Sequence, residues 1–305
     1  MTRRVAVIAH RKKTLGGGLD ELRHLLSRED LGDLHWFEVG KSRKAPKAVE
    51  HAIRTGADLL VVWGGDGLVQ RVLDTVVRQD ADVPVAIVPA GTANLLAHHL
   101  GVPADIAGAV EVAFRGRDRV LDLGRVNGEH FAVMAGTGFD ADMIDAADGA
   151  LKNRLGRMAY VWTGALAARR PPVRMRVKLD GVTWFEGKAT CLLAGNVSEL
   201  FGGITVLPGA RPDDGWLDVG IMTAQGAARF SAALARVATG HPDRSPHIRI
   251  TRGRRITVHL YRPQRYELDG GSRPKTGKIK IRIVPKAVRI RVPDVPSDPL
   301  SRRNR

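Results

Sequence analysis

The chain of 305 residues has a single cysteine, Cys191, which excludes an intramolecular disulfide, a cysteine-cluster zinc site and an iron–sulfur centre, and fits a reducing compartment. Long apolar runs are also lacking. The run behind the basic Arg3 and Arg4, Val5 to Ala9, ends at His10, Arg11, Lys12 and Lys13, so no signal-peptide core is expected. Elsewhere Met158 to Ala168 falls far short of the ~18 apolar residues that a spanning helix needs. The expectation is a cytoplasmic protein that crosses no bilayer. Aromatic residues make up 5%, and neither a base-stacking module nor a recognition-helix signature is present, which argues against nucleic acid as a partner.

Acidic residues are scarce in one half only. Residues 1–150 carry 18 Lys and Arg against 21 Asp and Glu, whereas residues 151–305 carry 30 against 11, so the whole net charge of +16 arises in the second half. Polarised charge of this kind predicts an anionic partner there, unless it reflects only an arginine-rich codon habit.

With 44% hydrophobic and 26% charged residues the chain can bury a full core, and its length suggests about two domains at roughly 150 residues each. In the first part, apolar strands alternate with stretches of helical period. Strands are read at Arg3–Ala9, Leu34–Val39, Asp58–Trp63 and Val83–Val88, and helices at Leu19–Leu26, Ala45–Thr55, Leu68–Val77 and onward from Asn94 to His99. That alternation implies a parallel sheet covered on both faces. After about Val120 the strands alternate in character, as in Lys278-Ile279-Lys280-Ile281-Arg282-Ile283, where one side packs and the other is basic. A helical interlude is read at Gly149–Ala168. The expected division is an α/β domain over 1–122, a β-rich domain over 123–295 and a flexible tail over 296–305.

Two segments carry chemistry by their position. Gly64-Gly65-Asp66-Gly67 follows a buried strand and opens a helix, the place where parallel sheets bind ligands and where glycines let a phosphate approach backbone N–H groups. A carboxylate beside a polyphosphate is repelled unless it holds a cation or accepts a proton, so Asp66 points to phosphoryl transfer, or else it is simply the N-cap of its own helix. The run lacks the spacing of both G-x-G-x-x-G and the P-loop. Pro89-Ala90-Gly91-Thr92-Ala93-Asn94 lies at a second strand-to-helix junction, with Thr92 and Asn94 either as uncharged phosphate or ribose donors or as a helix cap.

These two runs, together with Gly136-Thr137-Gly138-Phe139-Asp140-Ala141, Ala194-Gly195-Asn196 and the segment from Pro208 to Asp218, resemble the diacylglycerol kinase catalytic-domain family, which includes sphingosine and ceramide kinases. The order matches over about nine-tenths of the chain. The resemblance implies an ATP-binding domain of phosphofructokinase-like topology, a C-terminal antiparallel β-sandwich, an active-site cleft between them, and transfer of the γ-phosphoryl group of ATP to a lipid hydroxyl, most simply that of diacylglycerol. Gly64, Gly65, Asp66 and Gly67 match its nucleotide-phosphate loop, and Gly91, Thr92 and Asn94 its second phosphate-side loop. Asp214 and Asp218 fall where bacterial members bind a structural magnesium; two acids four apart after a turn suit a hard cation, and Pro-Asp-Asp-Gly equally suits a surface turn.

Three departures matter. The family's first-strand loop, Asn-Pro-x-Ser-Gly, is replaced by Ala9-His10-Arg11-Lys12-Lys13, so His10 and Arg11 are expected to contact phosphate in place of a backbone cradle, or to form a solvated loop. Leu68 stands where many members have threonine. The family's Asp-Gly-Glu, whose glutamate is its proposed general base, reads Asp269-Gly270-Gly271 here. Asp66 is then the first candidate for the base and Asp269 the second, unless Asp269-Gly270-Gly271 is only a hairpin turn. An NAD-kinase-like enzyme and a catalytically silent binding protein are the alternatives. A basic second domain is expected to meet the inner face of an anionic membrane through Arg249, Arg252, Arg254, Arg255, Lys278, Lys280, Arg282, Arg289 and Arg291. The oligomeric state is left open between monomer and homodimer.

Overall fold

The computed structural model describes residues 3–138, 171–200 and 204–294, in two compact units: 1–121 with 286–305, and 122–285. The helix expected at Gly149–Ala168, the Phe139-Asp140-Ala141 end of its motif, and the tail lie outside the described residues.

The first unit alternates β1 (Arg3–His10), α1 (Gly18–Leu26), β2 (Leu31–Val39), α2 (Ala45–Arg54), β3 (Leu59–Gly64), α3 (Asp66–Arg78) and β4 (Val85–Pro89), followed by α4 (Leu95–His99) and α5 (Ile106–Arg115). The strands are parallel in the order β4-β3-β1-β2. Val5 to Ala9 and all six residues of β3 are buried, as strands covered on both faces must be, which is why they read as unbroken apolar runs. The helices bury one stripe each, Ala45, Val49 and Ala52 on α2 and Leu68, Val72, Leu73 and Val76 on α3. Helix α5 was not anticipated; Asp105 caps it, its carboxylate accepting the Gly108 N–H at 2.7 Å.

β5 (Arg117–Val126) leads into the second unit, which holds β6 (Glu129–Phe131), β7 (Met134–Thr137), β8 (Val173–Leu179), β9 (Val182–Ala189), β10 (Cys191–Gly195), the short pair β11 (Glu199–Leu200) and β12 (Ile204–Thr205), β13 (Leu217–Met222), α6 (Ala227–Ala238), β14 (Ile248–Gly253), β15 (Arg255–Leu268) and most of β16 (Gly271–Val292). Pairing is antiparallel in the order β14-β13-β10-β7-β15, while the first part of β15 also lies between β8 and β16, with β9 beyond β8. The result is an antiparallel, sandwich-like domain. Met175, Val177, Leu192, Val219, Ile256, Val258, Leu268 and Ile281 are among its core. Helix α6, also unanticipated, seats Phe230 and Ala233 against Cys191, Met222 and Ala224, and burial pushes the Cys191 thiol up to about 12, leaving it inert.

The alternating run over 278–283 belongs to a single strand that continues to Val292, and the end of that strand belongs to the first unit: Ile290 pairs in parallel with Val85. The basic surface expected from the sequence also changes here. Arg289 bonds Asp82 at 2.7 Å and Asp118 at 3.0 Å, and Arg291 bonds Asp118 at 3.1 Å and the carbonyls of Ala113 and Phe114. These two arginines tie their own unit together and do not join the basic face of the second domain. Among the described residues no helix is long and apolar enough to cross a membrane.

Candidate active site

Parallel register sets three strand ends side by side. Ala9 lies opposite Trp63, Trp63 opposite Val88, and Gly64 opposite Pro89, so the loops that leave β1, β3 and β4 emerge at the same edge. This carboxyl edge is where an open parallel sheet offers unpaired N–H groups and helix N-termini to a ligand.

The β3–α3 and β4–α4 loops touch backbone to backbone. A β-carbon on Gly91 would stand 2.4 Å from Gly65 Cα and 2.6 Å from Asn94 Oδ1, and one on Gly65 would stand 2.9 Å from Gly91 Cα. Only glycine at both positions permits that approach. Asn94, in the left-handed region at φ 49°, accepts the Gly91 N–H at 2.9 Å and donates to the carbonyls of Pro89 at 2.9 Å and Gly91 at 3.0 Å. Its amide is therefore engaged in bracing its own loop, whereas Thr92 and Gly67 are exposed at the edge. Gly91→Ala is expected to force the loops apart and to cost about 1–3 kcal/mol of stability. A thermal melt checks it; an unchanged melting temperature would show that the contact does not brace the two loops.

Asp66 is the first residue of α3 and half-buried. Its carboxylate lies beside the backbone N–H groups of Leu96 and Leu95 at the start of α4, of Asp66 itself and of Asn94, so it sits where the two loops meet. Burial raises its pKa above the ordinary carboxylate range, against the pull of those N–H groups. Leu68, which replaces threonine, is 1% exposed and packs onto Gly64, where a β-carbon would meet it at 2.7 Å.

The β1–α1 loop is a tight turn. The Lys13 N–H reaches the His10 carbonyl at 3.0 Å, His10 Nδ1 accepts the Lys12 N–H at 3.3 Å, and the Trp63 indole donates to the Lys13 carbonyl at 3.2 Å. His10 stands at the edge with its pKa lowered by partial burial first and then by Lys13. Arg11 faces Glu38 at 3.5 Å, towards β2.

In the second unit Asp269 is 7% exposed, and its two oxygens accept the N–H groups of Ala132 at 2.7 Å, Val133 at 2.9 Å and Met134 at 3.0 Å. Asp269 and Gly270, at φ 44° and 76°, form the two-residue turn between β15 and β16, where Leu268 pairs with Gly271. Asp269 is thus a clasp that binds three backbone N–H groups, a structural role for the residue expected second as the base. At Gly271 a β-carbon would lie 2.8 Å from Arg273 Nη1, and Arg273 is paired bidentately with Glu129 at 2.8 Å.

Asn196 and Asp122 contribute where sequence reasoning assigned no role. The Asn196 amide donates to the carbonyls of Asp122 at 2.8 Å and Ala132 at 3.1 Å, and Asp122 Oδ2 accepts the Gly215 N–H at 2.7 Å. The turn over 212–216 is held by these bonds. Asp218 follows on β13, 4% exposed, and its Oδ2 has no hydrogen-bond partner among the described residues; neither does Asn196 Oδ1, one residue beyond Gly195, the register partner of Asp218. The Asp218 pKa is raised by burial, lowered by Arg252 and raised again by Asp214. Arg252 lies 3.9 Å from Asp214. No cluster of three His, Cys, Asp or Glu side chains assembles among the described residues, so a divalent ion held by Asp214 and Asp218 would complete its shell with amide or backbone oxygens and water. The orphaned buried oxygens fit that donor set.

The sequence profile of the diacylglycerol kinase catalytic domain matches residues 4–126, and that of the YegS C-terminal NAD kinase beta sandwich-like domain matches residues 133–292. The chain belongs to the diacylglycerol kinase catalytic-domain family, in its two-domain YegS-like form. Within that family it is 33% identical to a protein of Pseudomonas aeruginosa named probable lipid kinase YegS-like, over 72% of each chain. It is 28% identical to a diacylglycerol kinase of Bacillus subtilis over 74% of this chain and 75% of that one. The fold is shared with the crystal structure of a diacylglycerol kinase from Bacillus anthracis, at a TM-score of 0.74 and 21% identity over 95% of this chain and 97% of that one. It is shared more distantly with an NAD kinase from Archaeoglobus fulgidus in complex with ATP, at a TM-score of 0.52 and 12% identity over 94% and 93%.

Proposed function

We propose that this chain transfers the γ-phosphoryl group of ATP to the hydroxyl of a lipid, with diacylglycerol as acceptor and phosphatidic acid as product. The observation that carries the reading is the junction of Gly65 with Gly91, where two strand-to-helix loops meet beside Asp66 at the start of α3. The exposed Gly67 and Thr92 on the two loops suit the phosphates, Thr92 adds a hydroxyl, and His10 borders them on the β1 side. The acceptor oxygen bonds to the γ-phosphorus as the bond to the bridging oxygen breaks and ADP departs. A loose transition state asks little of a base, and Asp66, placed where the two loops meet and with its pKa raised by burial, is the carboxylate best suited to take the hydroxyl proton. Asp214 and Asp218 would hold magnesium with amide or backbone oxygens and water, and the ion would there neutralise two crowded carboxylates.

Incubating the protein with γ-labelled ATP and a panel of lipids, then extracting the organic phase, is expected to find label in phosphatidic acid. Label in NAD, or nucleotide binding with no transfer to any lipid, would overturn the reading. In the same assay Gly271→Glu is expected to change the rate less than about threefold, because Arg273 captures the new carboxylate. A large gain would show instead that the chain lacks its base.

A further inference from the structure

The outer face of β8, β15 and β16 carries basic residues in rows. Register sets Arg176 and Lys278 on either side of His259, Lys178 and Lys280 on either side of Thr257, and Arg282 directly opposite Arg255. Alternation decides which way they point. Val177, Val258, Ile279 and Ile281 are buried, so the residues between them stand on the opposite surface. With strands about 4.8 Å apart and alternate residues about 6.8 Å apart, the rows occupy an area on the order of 10 by 14 Å.

Charge on this face is largely unbalanced. Glu186 on β9 is engaged by Arg176 at 2.8 Å, Arg174 at 3.6 Å and the Tyr261 hydroxyl at 3.1 Å. Asp180 accepts the backbone N–H groups of Arg254 and Arg255. Among the described residues no carboxylate pairs with Lys178, Lys278, Lys280 or Arg282. His259 has its pKa lowered by partial burial first, then by Lys278, Lys178 and Arg176. Like charges placed across a sheet destabilise it, so this arrangement is a cost in the isolated protein that an anionic partner removes. A cavity of about 400 Å³ opens within the face, lined by Arg176, Lys178, His259, Leu260, Tyr261 and Gly277. At its border Tyr261 is 55% exposed, with the Arg174 guanidinium 4.8 Å from the ring centroid. An amphipathic ring among cations is the pairing that suits a membrane–water interface.

We propose that the β8–β15–β16 face docks this protein on an anionic bilayer, with lipid phosphates seated between the rows and Tyr261 at headgroup level. A two-dimensional lattice of cations matches a plane of headgroups. Single-stranded nucleic acid instead wants a groove with successive stacking rings, which this face does not offer. The inference rests on the lipid-kinase reading for the nature of the partner. It relocates the basic surface from Arg289 and Arg291 to β8 and adds Arg176, Lys178 and His259 to it.

The test is flotation of the full chain, without ATP, on vesicles of phosphatidylcholine alone or mixed with phosphatidylglycerol. Binding is expected only to the mixed vesicles and to weaken with added salt. Each basic residue near an anionic leaflet strengthens binding about fivefold, so Lys178→Ala/Lys278→Ala/Lys280→Ala is expected to lower the partition coefficient at least thirtyfold. The matching arginine triple is expected to retain binding, and Lys41→Ala/Lys44→Ala/Lys47→Ala on the first unit to change it less than about threefold. A thermal melt of the alanine triple no lower than that of the parent separates lost docking from lost folding. Equal binding to both vesicles, a triple variant that floats like the parent, or displacement from mixed vesicles by an oligonucleotide would each overturn the proposal. Vesicle binding through this face by a protein that transfers no phosphate would sink the kinase reading and leave the docking face standing.

Discussion

Asp66→Asn is expected to lower phosphoryl transfer by about 10²–10⁴ while the melting temperature moves by only a few degrees. The substitution keeps the shape and one carbonyl oxygen facing the N–H groups of Leu96, Leu95, Asp66 and Asn94. What disappears is the negative charge at the start of α4, worth about 0.3–1 kcal/mol to a helix terminus, and the ability to accept a proton. Asp66→Ala removes the bonds as well and is expected to cost about 0.5–2 kcal/mol of stability, as the loss of a cap does. Comparing the two variants separates the roles. An Asn variant with the full turnover rate, together with an Ala variant that is merely less stable, would reduce Asp66 to a brace between two loops.

Asp269→Ala is expected to produce the largest loss of stability, about 3–6 kcal/mol, because three N–H donors lose their acceptor at about 1–3 kcal/mol each, with some relief from water. The bonds concerned, to Ala132, Val133 and Met134, are 2.7 to 3.0 Å long, the first two buried and the third partly so. Alanine is also poorly suited to the left-handed φ of 44° at the turn. Asp269→Asn keeps both an acceptor and a side chain tolerated at that φ, so it is expected to lose less than half as much. Denaturant titration measures the difference, and an alanine variant within 1 kcal/mol of the parent would show that the clasp contributes little.

These two aspartates separate what is readable from what is not. Both stood out in the sequence by their neighbours, glycines that mark tight turns. Asp66 follows a strand and precedes a helix, so its place at the sheet's carboxyl edge followed from local order. Its partners did not, because they belong to α4, nearly thirty residues on. Asp269 looked like a reserve base, but its carboxylate clasps three N–H groups of a segment more than a hundred residues away. The basic residues tell the same story. Period two in 278–283 showed that one side of a strand was positive. Whether Arg289 and Arg291 extended that side depended on Asp82 and Asp118, which lie on other elements.

Apolar periodicity and glycine placement were sufficient for the parallel α/β part, the antiparallel part and the two loops, because burial on one or two faces writes itself directly into local order. The helices 106–115 and 227–238 were missed although each buries a regular stripe, Val110 and Ala113 on one and Phe230 and Ala233 on the other. Hydrogen-bond partners and pairing across strands decided the rest: which unit holds the end of the last strand, what Asp269 binds, and where Asp218 keeps an orphan oxygen. Such partners are brought together by the folded chain at separations no local window spans, and the chemistry of a carboxylate depends on them more than on its neighbours in sequence.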